Sequence, residues 1–569
     1  MSATTGTNEA AANAWLDEFF TVLFARLPVN ATFTGVHRHD DRLPDLSEAG
    51  IRAWNADIAR LQATAPAVPG PGAAPEALRH DLLLAQNHLR LQQIEFGLRQ
   101  CQCGNPAHYT GEAIFSILGL FQRDAEPLAD RVAAAAARMR AIPAFLATSR
   151  ANIDAAPAAW TERAAREARA AAAYCQRGIP MLAAERGIAA PAFFDAAEIA
   201  RDAFAVHAAW LESALAARPT DDVACGRAAF DAYLTLGHCL PPAQDASWLA
   251  AHAERALAEA QQRLEDEAAT LQPGTSSRDQ LAALADDHPT VADYYATYGR
   301  VWEDARQAAI AADLLTWPDY PIEFTPFPRS DREAAPSLYY LFYRCPPPFG
   351  RPETHRYLVT PIEPDMPPAE QERRLRATNQ SVIKLNHVIH HAGLGHHVQN
   401  WRAFRAASRV GQIAGVDCAN RIGLFCGGTL VEGWACTATA LMEEIGFCSP
   451  LERLSEAQSD VRMAARAVVD ANLHTGAMTL AEAIAFYERE SGMSPGSATT
   501  EAVKNSMFPG AAAMYLLGVE AIRDLRHELA GRAGSDFSPR AFHDRFLRYG
   551  AIPVSLIAAS MRAETFPPA

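Results

Sequence analysis

Apolar residues recur every three or four positions through most of the chain, the spacing that places them on one face of an α-helix. In 11–27, Trp15, Phe19, Phe20, Leu23 and Phe24 form such a stripe, and Pro28 closes it. Residues 47–64 repeat the pattern, and 76–100 carry it through Leu82, Leu84, Leu89, Leu91 and Leu98. Between them, the Pro-, Ala- and Gly-rich stretch 65–75 reads as a loop. From 126 to 270 Ala, Arg, Glu and Leu dominate, with breaks expected near Pro143, Pro157, Pro180, Pro191 and Pro219. High helix propensity cut at intervals predicts several antiparallel helices, with Trp160 and Trp210 in the core.

The pattern changes at Trp317, where Pro318, Pro321, Pro326 and Pro328 forbid a continuous helix. Two short aromatic and β-branched runs follow, 338–344 (LYYLFYR) and 356–362 (RYLVTPI), separated by a turn-rich segment. They predict a small β-hairpin or sheet near 337–362. Helical spacing then resumes over about 369–392, 396–408, 427–446, 450–475, 479–492, 498–504, 509–530 and 538–548. The expected fold is mainly α with a minor β element. The expected organisation is a helical region, 1–316, and a helical region with the β element, 317–569, forming one continuous unit.

Composition narrows the class. Of 569 residues, 49% are apolar and 21% charged, with a net charge of −15. That balance fits a globular protein and argues against nucleic acid or an anionic membrane surface as partner. No basic segment followed by a long apolar run opens the chain, and no apolar run is long enough to span a bilayer. A cytoplasmic location follows as the expectation. The ten cysteines are scattered, with one C-x-C pair at Cys101 and Cys103, and read as free thiols. The loop 32–45, with His37 and His39, reads as a solvated turn.

Residues 386–401 read NHVIHHAGLGHHVQNW and hold five of the 18 histidines: His387, His390, His391, His396 and His397. Imidazole is the commonest metal ligand and titrates nearest neutral pH. His387 stands three residues before His390 and four before His391, so either pair could share a helix face. His390 is six residues from His396 and seven from His397. On a straight helix six residues give the wrong face, and seven rise about 10.5 Å. Chelation through either pair needs a bulge or break, and Gly393 and Gly395 stand where one would occur.

Downstream, 430–435 (LVEGWA) places Glu432 at the head of a helix, as a third ligand or as a first-turn acid complementing the helix dipole. Arg462, Arg466, Asp470 and His474 recur every four residues on one face. They read either as i,i+4 pairs or as a carboxylate anchor (Arg466) and an oxyanion donor (His474). Tyr515, after Gly510 and small residues, is a second oxyanion donor or a core residue.

Taken in order, these segments resemble the domain-of-unknown-function 885 family, whose fold is similar to thermostable carboxypeptidases of the Taq type. The family pattern H-E-x-x-P-G-H-H-x-Q corresponds to 390–399, E-G-W-A to 432–435, R-x-x-x-D-x-x-x-H to Arg466, Asp470 and His474, and G-x-x-x-x-Y to 510–515. Phe542, His543 and Asp544 with Gly550 and Pro553 match its close, and 27–35 with 43–46 its opening. The resemblance implies a gluzincin-like helical fold with a central cleft. It implies metal ligation by His390, by His396 or His397, and by Glu432. One departure stands out. The family's Glu after the first His, the general base of zincins, is His391 here, and its Pro is Leu394.

The expected function is hydrolysis of an amide or peptide bond in a small molecule or short peptide. The ion is a divalent metal, zinc first, with iron or another transition metal as alternatives. His391 takes the place of the usual base, His474 and Tyr515 stabilise the oxyanion, and Arg466 anchors a carboxylate. A non-hydrolytic metalloprotein and an inactive peptidase-like binding protein are the competing readings. A homo-oligomer is compatible with all three.

Overall fold

The computed structural model describes residues 2–334, 346–414 and 427–564. The protein is mainly helical, with one small sheet. Many helices begin and end where the local chemistry dictates. Helix Pro450–Thr475 opens on a reciprocal capping box between Ser449 and Glu452, carries proline in its first turn, and stops at Gly476 with φ 80°. Helix Leu480–Ser491 repeats the device with Thr479, Glu482 and Gly492. Asp245 caps helix Ala246–Leu271 by accepting from the Trp248 amide.

Prolines behave less simply than expected. Helix Leu128–Asn152 runs unbroken through Pro143, held between helices Pro106–Phe121 and Pro191–Trp210. At Pro180 the chain stays helical because a π-turn, Tyr174–Gly178, precedes it and opens the backbone ahead of the ring.

The expected small β element is present as a parallel sheet. Strand β1 (Ile322–Pro326) and strand β2 (His355–Val359) pair in parallel, with Ile322 opposite His355 and Phe324 opposite Tyr357. The second arm predicted at 356–362 overlaps β2. Its predicted partner at 338–344 lies outside the described residues. The observed partner comes instead from the Pro-rich segment, where Pro321 and Pro326 flank or end the strand, a position proline tolerates.

A single cluster of buried apolar side chains extends from Ala12 to Met561. Helix Ala246–Leu271 packs along Pro450–Thr475, and helix Gly428–Glu444 along Met514–Ala533. Helix Tyr294–Ala311 lies against β1 and the histidine segment, which also touches Gly428–Glu444. The site described next therefore rests on the core on several sides. No described helix is long and apolar enough to cross a membrane.

Candidate metal centre

The predicted helix 369–392 is two elements. An α-helix, Pro368–Ala377, ends at Thr378, and Val382–Ala392 follows as a π-helix. Its backbone bonds span five residues instead of four, which widens each turn. The His391 Nδ1 accordingly donates to the Asn386 carbonyl five residues back, at 2.8 Å. The chain breaks at 393–395 and restarts as helix His396–Ala403. The Gly395 amide reaches back six residues to the Ile389 carbonyl at 3.0 Å. A Cβ at 395 would overlap the His390 carbonyl oxygen, so only glycine permits this close approach. The widened turn and the break bring together residues a straight helix would separate: the His390 and His396 rings lie 4.9 Å apart, and His391 lies 4.8 Å from His390.

His390, His391 and His396 each offer a nitrogen within 4.8 Å of the others. Glu432, from helix Gly428–Glu444, places Oε2 3.4 Å from His390 Nε2 and 3.7 Å from His396 Nε2. Both distances exceed a good hydrogen bond. They match neighbouring ligands of a tetrahedral ion, since two donors ~2.1 Å from its centre stand ~3.4 Å apart. The hydrogen bond from His391 Nδ1 to a carbonyl leaves the lone pair of the neutral ring on Nε2, the usual way a second partner prepares a ligating imidazole. The donor set, three imidazoles and a carboxylate, fits a divalent transition metal.

Electrostatics are consistent with that fit. Burial pushes His396 down to about 4, and pushes His391 well below the ordinary imidazole range with the help of His390 and His396. Both rings are neutral near pH 7 and present lone pairs. Burial alone would raise Glu432. The His390 contact and the nearby His396 outweigh it and hold the carboxyl at about 2.

The surroundings lock these ligands in place. Trp434 Nε1 donates to the Leu394 carbonyl at 2.9 Å, tying the Glu432 helix to the break. Trp302 Nε1 donates to the Ala392 carbonyl at 2.8 Å. Lys384 Nζ bonds Glu452 and the Phe447 carbonyl, both at 2.8 Å. Gly433 packs directly on Gly518, where any side chain would collide.

Other sequence candidates stand apart. His397 turns away: its Nε2 bonds the Tyr320 carbonyl at 2.8 Å and its ring stacks on Tyr320 at 4.6 Å. Of the two adjacent histidines, His396 is thus the one at the centre. His387 bonds Tyr357 of β2 through Nδ1 at 2.6 Å. His474, expected as an oxyanion donor, is fully buried and donates to the Asn505 carbonyl at 2.9 Å, its ring stacked on Phe230. Asp470 accepts from the Gly510 and Ala513 amides at 3.1 and 2.8 Å. The four-residue repeat on this helix thus positions the segment 505–515. Arg466 pairs with Glu501 at 2.8 Å and lies over the Tyr515 ring at 4.8 Å.

Three neighbours escaped the sequence reading. Cys436 Sγ lies 4.0 Å from His390 Nδ1, and the four-residue step from Glu432 was the signal for it. Glu456, pushed up to about 7 by burial, has His390 among the charges that act on it, and Lys504 acts on Glu432. Nothing in the local sequence around Glu456 or Lys504 marked them.

A family model described as "Bacterial protein of unknown function (DUF885)" matches residues 28–561. No match was found among curated proteins. A putative lipoprotein of unknown function from Shewanella oneidensis superposes with a TM-score of 0.76 at 21% identity, covering 97% of this chain and 99% of that one. A putative lipoprotein from Colwellia psychrerythraea gives 0.77 at 16% identity, covering 98% of each. At these identities the likeness establishes the fold alone.

Proposed function

The chain belongs to the DUF885 family of bacterial proteins of unknown function, which brings no activity with it, and we propose from the site itself a metal-dependent hydrolase of amide or peptide bonds. The observation that carries the reading is the convergence of His390, His396 and Glu432 at ligand spacing, with His391 beside them. A divalent ion held there, zinc first, would supply Lewis acidity toward a carbonyl and lower the pKa of water. His390, His396 and Glu432 are the ligands. His391 holds its Nε2 lone pair toward the same space and receives the proton of the attacking water, the task a glutamate performs in zincins. Arg466, paired with Glu501 and lying over the Tyr515 ring, serves to anchor a substrate carboxylate, and Tyr515 to stabilise the oxyanion. A gluzincin-like ancestry with a central cleft belongs to this proposal and rests on the order of the motifs.

A second reading has its own support. The His391 nitrogen lies in the same 4.8 Å set as His390 and His396, so His391 would serve equally as a fourth ligand. Four protein ligands close a site, and a closed site is structural or redox rather than hydrolytic. The variant His391→Glu separates the two. As hydrolase, it retains metal and keeps or raises cleavage of a broad peptide panel, with activity at least ~100-fold above His391→Ala, the usual minimum for a general base. Inactivity of wild type and His391→Glu alike, with metal bound, favours the closed site.

The two solved structures named above are described as putative lipoproteins, so the cytoplasmic location expected from the sequence finds no support in them. The chemistry proposed is indifferent to compartment.

A further inference from the structure

A cavity of about 150 Å³ lies apart from the histidine cluster. An engineered apolar cavity of about that volume takes up benzene. Trp54, Phe96, Met507 and Met514 supply much of its apolar wall, and Gly428, one turn before Glu432, closes one side. Among the polar side chains that interrupt that wall, four present acceptors: Gln100, His238, Asn30 and Glu95.

The Gln100 amide is oriented by its NH2, which donates to the Val223 carbonyl at 2.8 Å. Its Oε1 is buried without a hydrogen-bond partner. His238 donates through Nε2 to the Gly510 carbonyl at 2.8 Å, and burial lowers its pKa, so the neutral ring leaves Nδ1 as a bare lone pair. That Nδ1 is also buried without a partner. Asn30 Oδ1 is a third such atom. All three side chains are more than nine-tenths buried. Glu95 is the fourth: Tyr233 donates to it at 2.9 Å, and no described cation pairs with it. Burial raises its carboxyl to about 7. Buried acceptors left unmet are costly, so a cavity that gathers three of them beside a carboxylate calls for an occupant that donates.

We propose that this cavity binds a primary amine carrying a compact apolar body, its ammonium set against Glu95 and its N–H donors shared with Gln100, His238 and Asn30. The aromatic wall at Trp54 and Phe96 (ring centroids 5.1 Å apart) receives the body. The inference goes beyond the hydrolase reading and does not depend on it, because none of the four acceptors is a ligand at the histidine centre.

The test is calorimetric titration of the full chain, as purified and after chelation, with benzylamine, benzyl alcohol and phenylacetate. The amine is expected to bind at least ten times more tightly than the alcohol, phenylacetate not at all, and chelation to change neither result. Glu95→Gln is expected to bring the amine down to the level of the alcohol. Absence of amine binding, equal affinities of amine and alcohol, or a preference for phenylacetate overturns the proposal. Should the variant not fold, crystals of the unsubstituted protein soaked with 4-bromobenzylamine decide it. A bromine anomalous peak in the cavity supports the assignment; a peak elsewhere, or none, refutes it.

Discussion

Gly395→Ala is expected to destroy the histidine centre and to destabilise the protein by about 3 kcal/mol or more, in the range of changes that force the backbone to move. The added Cβ has nowhere to go, because it would overlap the backbone oxygen of His390 itself. Relief requires the break at 393–395 to open, which costs the Gly395–Ile389 bond and moves His390 away from His396. Metal affinity should fall ~10–100-fold, as it does when ligand orientation is lost. The control is Gly299→Ala, inside helix Tyr294–Ala311, where a Cβ meets nothing within 4 Å. That change is expected to be neutral or to stabilise by about 0.5–1 kcal/mol. Thermal unfolding and metal titration of both variants check the pair. Equal effects at the two positions would remove the geometric role assigned to Gly395.

The second large effect is acid lability. Burial pushes His80, His387, His396, His397, His474 and His543 down to about 4, and His207 to about 3. In the unfolded chain each returns to about 6.5. The unfolded state therefore binds more protons than the native state over this interval. Their contribution is fully present above pH ~6.5 and is lost as the pH falls toward 4. Three buried acids oppose it. Glu95, Glu456 and Asp470 are raised to about 7, so the native state binds their protons more readily and they lose stability as pH rises from about 4 to 7. The histidines outnumber the acids, and net stability is expected to fall on acidification. Calorimetry should show the melting temperature dropping by roughly 10 °C between pH 7 and pH 5. His207→Phe keeps a ring on Trp210 and removes two buried nitrogens without partners. It should raise stability and flatten this dependence. A melting temperature unchanged or rising toward pH 5 would contradict the assignment of these histidines as neutral.

Much of the helical framework was legible in the sequence, because apolar spacing and end signals agree. Helix Pro450–Thr475 starts at its capping box and ends at its glycine, and the spacing alone gave both limits. The π-helix at Val382–Ala392 was not legible as such, since a five-residue bond pattern leaves little trace in apolar periodicity. Its consequence was: the six-residue interval between His390 and His396 required a departure from the α-helix, and Gly393 and Gly395 marked its place. The choice between His396 and His397 is tertiary, made by the Tyr320 carbonyl and ring that hold His397. The same holds for β1, whose partner is brought in from across a long connection. His474 shows the opposite error. A motif position suggested chemistry, where the side chain serves to hold the Asn505 carbonyl.

Lys504 and Glu456 come from other helices than Glu432 and reach the centre only through packing. Their link to it is electrostatic: Lys504 lowers Glu432, and His390 lowers Glu456.

The central claim is a metal bound by His390, His396 and Glu432. Elemental analysis of protein loaded with zinc and dialysed, for wild type, His390→Ala, His396→Phe and His397→Phe, tests it most directly. The account predicts one ion per chain in wild type and in His397→Phe, and less than a tenth of an equivalent in the other two. A full equivalent in His390→Ala or His396→Phe, or its loss in a folded His397→Phe, would contradict it.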